Sequence, residues 1–244
     1  MGLLGGWAGR IEFASATDRG RRSDNQDRAA VSARWAVLSD GVGGHPGGDV
    51  AAEIAVDAAV AELGRRPSGR TLRWAFASAA AAVREGRRTR PGLQAMDATL
   101  TVAVALGVRR QLSRWLVGWV GDSPAWHAGG AGLILLTCPH TLEAELAGTE
   151  RPGGGPGWGR NVLVRTVGSA DQSGIDVASA VLRPGEGVIL ASDGLTERMG
   201  PPDIFEVWHA TQGAEDVAAG LVRAAVEAGA SDNVTVTVLR HCAS

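Results

Sequence analysis

Lysine and tyrosine are absent from this 244-residue chain, and only two cysteines occur. Every basic side chain besides histidine is arginine, which reads as compositional drift. The missing lysine still excludes one site. The glycine-rich run at residues 151–159, RPGGGPGWG, has no Lys-Ser or Lys-Thr after its glycines and is not a Walker loop. Cys138 and Cys242 form neither metal-ligand spacing nor a disulfide framework, so a reducing compartment is the simpler assumption. A cysteine phosphatase loop needs Arg six residues after its nucleophile, but position 144 is Ala and Cys242 comes too late. No apolar run reaches about 18 residues, and residues 1–9 lack a basic stretch followed by a long apolar core. A cytoplasmic protein with no membrane partner is therefore expected. The formal net charge of -2 argues against nucleic acid as a partner.

The chain is 45% apolar and 20% charged, the composition of a globular protein with a sizeable core. With no linker, repeat or low-complexity boundary, residues 1–244 are expected to form a single domain with a loose start at 1–10. Alternation predicts strands at residues 11–17, 29–32, 34–39, 112–120, 125–128, 133–137, 175–182, 187–191 and 234–239. A further strand at 99–106 places Leu100, Val102, Val104 and Leu106 on one face. Short connections make the strands mostly antiparallel. Helical spacing predicts residues 49–63, with Val50, Ile54, Ala58 and Ala61 as the apolar stripe. A second helix at 71–88 turns Leu72, Phe76, Ala79 and Val83 inward and leaves Arg73, Arg84 and Arg87 on a solvated surface. Two more are expected at 204–211 and 214–228. Residues 143–160 break the pattern and are expected to form a mobile flap. The whole implies an α+β fold, its sheets covered by helices on the outside.

Four acids punctuate these apolar strands. VLSDGVGGH at 37–45, LVGWVGDS at 116–123, VILASDGL at 188–195 and SDNVTVTVL at 231–239 put Asp40, Asp122, Asp193 and Asp232 at strand ends. Taken singly, Asp beside Gly is a turn signal. If the four ends converge, their like charges stay ionised together only around a cation. Carboxylates with a glycine carbonyl suit a hard ion such as magnesium or manganese. A dinucleotide fingerprint at 38–54 fails on spacing, since Gly41, Gly43 and Pro46 stand where three glycines are needed. The loop at 17–28, TDRGRRSDNQDR, is either a solvated charged segment or the source of an arginine clamp for an oxyanion.

TDRGRRSDNQD, LSDGVGGH, WVGDSPAW, LASDGL and SDNVTV, in that order, resemble the motif series of the metal-dependent protein phosphatases, the PPM or type 2C Ser/Thr class, in its bacterial type. MDATLTVA at 96–103 and RNVLVRTVG at 160–168 resemble two further segments, so the resemblance runs over residues 11–239. It implies an αββα four-layer sandwich of two mainly antiparallel sheets, with two Mn2+ or Mg2+ ions at one end and a third, weaker site in bacterial-type members. Carried over by position, Asp40 bridges the two ions, the Gly41 carbonyl binds one of them, and Asp193 and Asp232 complete the shell of the other. Asp122 contributes to the third site. Arg22 matches the arginine that grips substrate phosphate, and Asp27 matches an acid that holds metal-bound water. His45 is the candidate general acid for the leaving alkoxide, with a solvent-facing turn histidine as the alternative. His127 and His140 are expected to be structural, His209 and His241 to lie at the surface.

The resemblance implies a signalling hydrolase, a Ser/Thr protein phosphatase in which a metal-activated water attacks the phosphoryl group in line. Its substrate would be a phosphorylated protein, its partner an opposing Ser/Thr kinase, and its expected state a monomer. Two alternatives stay open: a pseudophosphatase serving as a regulatory binding module, and a hydrolase of small phosphate esters. Four departures mark this chain. Gln26 stands where many members have Glu, Pro124 replaces the usual Arg after GDS, Asp97-Ala98 replaces a Gly-Thr pair, and Pro139 replaces an acid before His140. None removes a core ligand, and unusual substrate handling near the flap is their expected consequence.

Overall fold

The computed structural model describes residues 2–8, 11–42, 46–64, 66–147, 159–169 and 175–242, with side chains from residue 11 onward. His45 and most of the expected flap lie outside the described residues. One sheet has six strands in the order β1 (Gly2–Ala8), β2 (Ile11–Asp18), β11 (Val234–His241), β10 (Gly187–Ala191), β7 (Ala125–Gly129) and β8 (Gly132–Leu135). The second runs β3 (Arg28–Ser32), β4 (Trp35–Ser39), β5 (Leu100–Val108), β6 (Ser113–Val120) and β9 (Asp176–Leu182). All neighbours are antiparallel.

The period-two alternation of the strands decides the layering. On β5, Leu100, Val102 and Val104 pack with Val56, Leu72, Phe76 and Val83 from α1 (Gly48–Leu63) and α2 (Gly69–Thr89). Ala103 and Ala105 face the other way, into a core shared with Trp115, Val188, Leu190 and Leu239 between the sheets. On β10, Ile189 and Ala191 pack instead with Trp208, Val217 and Leu221 from α5 (Pro201–Ala210) and α6 (Ala214–Glu227). Each central strand thus feeds two apolar layers, each large side chain contributing about 1.5–3 kcal/mol of burial. The result is the expected helix, sheet, sheet, helix sandwich.

Several expectations need correction. Within the start expected to be loose, β1 pairs with β2 from Gly2↔Thr17 to Ala8↔Ile11, because backbone ladder bonds need no side-chain pattern and glycines supply none. In α1 the buried face is Ala51, Ala52, Ala55, Val56, Ala59 and Leu63, not the stripe through Val50 and Ala61. That helix is apolar nearly all round, so spacing does not choose its face, and small alanines let it approach the sheet closely. A register irregularity between Ala105 and Gly107 turns Leu106 out to solvent. β8 stops at Leu135, two residues short of the expected end. His241 is fully buried, not at the surface, because β11 continues beside β10 and β2 past Leu239; its Nδ1 lies 3.2 Å from the Leu182 carbonyl. Arg87 is not simply solvated: Nε donates to the Met96 carbonyl at 2.7 Å and the guanidinium pairs with Asp97. Two short helices, α3 (Leu142–Glu145) and α4 (Asp193–Arg198), are too brief to show periodicity in sequence. Among the described residues no helix is long and apolar enough to cross a membrane.

Candidate metal centre

β4 buries Ala36, Val37, Leu38 and Ser39 completely and releases Asp40 where the sheet ends. The acid's backbone is held on both sides. Its N–H donates to Thr99 Oγ1 at 3.0 Å, and its carbonyl accepts the Thr99 N–H at 2.8 Å. Thr99 Oγ1 in turn lies 2.7 Å from Ser123 Oγ, the neighbour of Asp122. Gly41 bridges Ala98 and packs so closely on Gly48, at the start of α1, that a Cβ would collide with backbone. The Asp97-Ala98 departure supports this shoulder. Asp97 accepts from Arg87, from Thr166 Oγ1, and from the N–H groups of Ala98 at 2.9 Å and Gly168 at 2.8 Å, while its carbonyl accepts from Val42 at 2.9 Å.

The other half of the site comes from β10 and β11. Asp193 opens α4 directly after Ser192, and Asp232 stands two residues before β11. Ser192 Oγ donates to Asp27 Oδ2 at 2.7 Å and accepts the Thr235 N–H at 2.9 Å. Asn233 pins the loop at 17–28 to this end: Oδ1 accepts the Gln26 N–H at 2.8 Å, and Nδ2 donates to the Arg19 and Asp24 carbonyls at 3.0 and 2.8 Å. The loop is therefore anchored, and Arg22 reaches from it to Asp232 Oδ2 at 2.8 Å.

Sequence reasoning named the acids but missed their holders. Each acid has a small polar neighbour, Ser39, Ser123, Ser192 or Asn233, that fixes the strand end by hydrogen bonds. The adjacent Ser-Asp, Asp-Ser and Asp-Asn pairs were the available signal. His140 is structural as expected. Its Nδ1 accepts the Gly121 N–H at 3.0 Å, and Nε2 lies 2.9 Å from Asp176 Oδ2. His127 sits 3.2 Å from Glu186, and His209 is exposed.

Arg22, Asp40, Gly41, Asp122, Asp193 and Asp232 line one cleft of about 370 Å3. Asp27 backs this cleft rather than lining it. It is 4% exposed, and its Oδ1 has no hydrogen-bond partner among the described residues. Burial, then repulsion from Asp27, Asp193, Asp122 and Asp232, raises the Asp40 carboxyl well above the carboxylate range. Burial followed by the charge of Asp193 pushes Asp122 up to about 7. Burial is also the main cause of the rise of Asp27 to about 6, and Asp193 is raised by burial and by Asp232. The Arg22 guanidinium, bonded to Asp232, is held still more firmly protonated.

An orphaned buried carboxylate oxygen and four acids short of positive charge are what a cation would complete. Among the described residues no group of three or more His, Cys, Asp or Glu side chains is ready to hold an ion by itself. The donor set thus fits an ion that takes further ligands from a backbone carbonyl and water, as magnesium and manganese do.

Comparison with known proteins points the same way. The Ser/Thr protein phosphatase PstP of Mycobacterium tuberculosis is 29% identical over 238 residues, covering 93% of this chain. This chain spans only 44% of PstP's length. The protein phosphatase PhpP of Streptococcus pneumoniae is 27% identical over 245 residues, with 94% of this chain and 97% of PhpP covered. The crystal structure of the PstP catalytic domain with two manganese ions superposes with a TM-score of 0.81 at 26% identity, covering 94% of this chain and 97% of that one. Residues 16–224 match the Protein phosphatase 2C family, to which this chain belongs.

Proposed function

We propose that this chain is a metal-dependent Ser/Thr phosphoprotein phosphatase, with residues 1–244 forming one catalytic domain. The observation that carries the reading is the uncompensated acid cluster of Asp40, Asp122 and Asp193 in a cleft that also holds Arg22, with the buried Asp27 behind it. Asp40 is assigned as the bridge between two Mn2+ or Mg2+ ions, with the Gly41 carbonyl on one and Asp193 and Asp232 on the other. Asp122 is assigned to a third, weaker site beside Asp193. When bound, such ions supply a nucleophile at neutral pH and neutralise phosphoryl charge. Manganese in the PstP catalytic domain supports the choice of ion.

The chain's own residues bind and orient. Arg22 presents a planar fork suited to two phosphoryl oxygens, and it is exposed enough to exchange Asp232 for substrate. Asp27, locked by Ser192, keeps one carboxylate oxygen buried and without a hydrogen-bond partner among the described residues, and it is assigned to orient water in the site. His45 is assigned as the general acid that protonates the leaving Ser or Thr oxygen.

The proposed substrate is a phosphorylated protein, which the relatives' names support, and an opposing Ser/Thr kinase is proposed as the partner. A cytoplasmic monomer is proposed, since Cys138 and Cys242 are not joined in a disulfide, which suits a reducing compartment. The test is phosphate release from a phosphothreonine peptide with and without manganese, alongside calorimetry of manganese binding. Release that depends on the ion is expected; robust turnover in excess chelator overturns the proposal.

A further inference from the structure

Beside the acid cleft lies a larger cavity of about 670 Å3 that shares Arg22, Asp122, Asp193 and Asp232 with it. Its other walls differ in character. Pro124, Trp126, Leu135, Pro139 and Pro201 give it an apolar side. Trp126 and Leu135 stand directly opposite on β7 and β8, so their side chains share one face of the sheet. Trp126 is almost wholly buried and forms a floor, whereas Leu135 is 52% exposed on the edge strand. Leu135 thus leaves apolar surface beside the acid cleft open to solvent.

Two of the four departures converge on this wall. Pro124 stands where the resemblance leads one to expect Arg, and Pro139 where it leads one to expect an acid. Both changes remove a charge from the same groove, and both replacements are rigid and apolar. Glu143, Glu197 and Arg160 also line it, leaving that part of its rim with a net negative charge.

The geometry points to a specificity groove: the wall of Pro124, Trp126, Leu135, Pro139 and Pro201 receives an aliphatic or proline side chain that flanks the phosphorylated residue of a substrate protein. The inference rests on the phosphatase reading above. Because the two cavities share Arg22, Asp122, Asp193 and Asp232, a peptide whose phosphate lies in the acid cleft has this groove directly beside it. An apolar flank there removes Leu135 from water, whereas an acidic flank must be desolvated against proline and leucine beside a negative rim.

The test compares phosphothreonine peptides that differ only in carrying Leu or Asp within three residues on either side of the phosphate. p-Nitrophenyl phosphate, too small to reach the groove, serves as reference. With the manganese-loaded full chain, an apolar flank on one side is expected to raise kcat/KM about tenfold over the acidic one. Leu135→Asp and Pro139→Asp are each expected to erase that preference while turnover of p-nitrophenyl phosphate stays within twofold. Leu135→Ser replaces Leu135→Asp if the latter fails to fold. Equal turnover of the two peptide sets by the wild type, or a preference that survives the variants, overturns the groove. A wild type that does not hydrolyse p-nitrophenyl phosphate with manganese breaks the phosphatase reading instead.

Discussion

Asp40 and Asp97 lie on neighbouring stretches, joined by the Gly41 to Ala98 bridge and the Val42 to Asp97 hydrogen bond, yet their surroundings are opposite. Asp97 is ringed by donors: a guanidinium, a hydroxyl and two backbone N–H groups. Asp40 faces Asp27, Asp193, Asp122 and Asp232, and its carboxyl rises accordingly. The chain is thus able to neutralise a buried acid where it wants only a clasp. Leaving the other cluster short of positive charge, a few residues away, is what a site for an external cation requires.

The comparison breaks most visibly if Asp193 proves dispensable. Residues that merely support a metal ligand already cost 10–100-fold when changed, so Asp193→Asn is expected to lower phosphate release by more than about a hundredfold at saturating manganese. Calorimetry on the same variant is expected to show at least one ion lost. Wild-type turnover in Asp193→Asn would remove the acid cluster from the chemistry.

Next in size is a contrast of sign in chelated protein. Asp97→Ala strands the partly buried Arg87 guanidinium and is expected to cost about 3 kcal/mol in urea unfolding, at the lower end for a broken buried pair. Asp40→Asn removes repulsion instead and is expected to raise the midpoint. If both variants destabilise, the two acids do not differ as described. The same cluster sets a pH dependence. Unfolded, Asp27 and Asp122 titrate near the ordinary value of 3.8; folded, they titrate at about 6 and about 7. As pH rises through this window the unfolded chain gives up its protons first, so the native state loses stability. The Tm of chelated protein is therefore expected to fall by several degrees between about pH 4 and 7. Saturating manganese is expected to abolish the fall. A Tm that rises across the window would contradict the raised carboxyls.

How far the sequence reached follows from the same contrast. Asp40, Asp122, Asp193 and Asp232 were legible because an acid at the end of a strongly apolar run is a local pattern, and the run itself announces the strand. The sandwich was legible because β5 and β10 alternate cleanly between two cores. Arg87 looked solvated because its partner Asp97 is brought to it only by the packed end of α2. His241 looked terminal and exposed because nothing local says that β11 lies between β10 and β2. β1 was invisible for a different reason: glycines carry no side-chain alternation, and the ladder with β2 is a backbone matter. Pro124 and Pro139 are separate departures along the sequence; only the fold puts them on one wall.

The smallest expected effect concerns Arg22, which belongs to neither class. It is paired with Asp232, yet 56% of its side chain is exposed and Asp232 is also partly open to water, so the pair contributes only about 0–1 kcal/mol. Arg22→Ala is therefore expected to leave Tm within a few degrees. The pair nonetheless engages an acid assigned to a metal ion, so the arginine competes with the ion for Asp232 rather than helping to hold it. Manganese affinity in Arg22→Ala is expected to be unchanged or slightly tighter. The KM for a phosphothreonine peptide, by contrast, is expected to rise about tenfold with kcat largely kept, because a lost charge-assisted fork is worth roughly that factor. Weaker manganese binding with an unchanged KM would make Arg22 a support of the acid cluster, and the cluster would then be partly neutralised from within the chain after all.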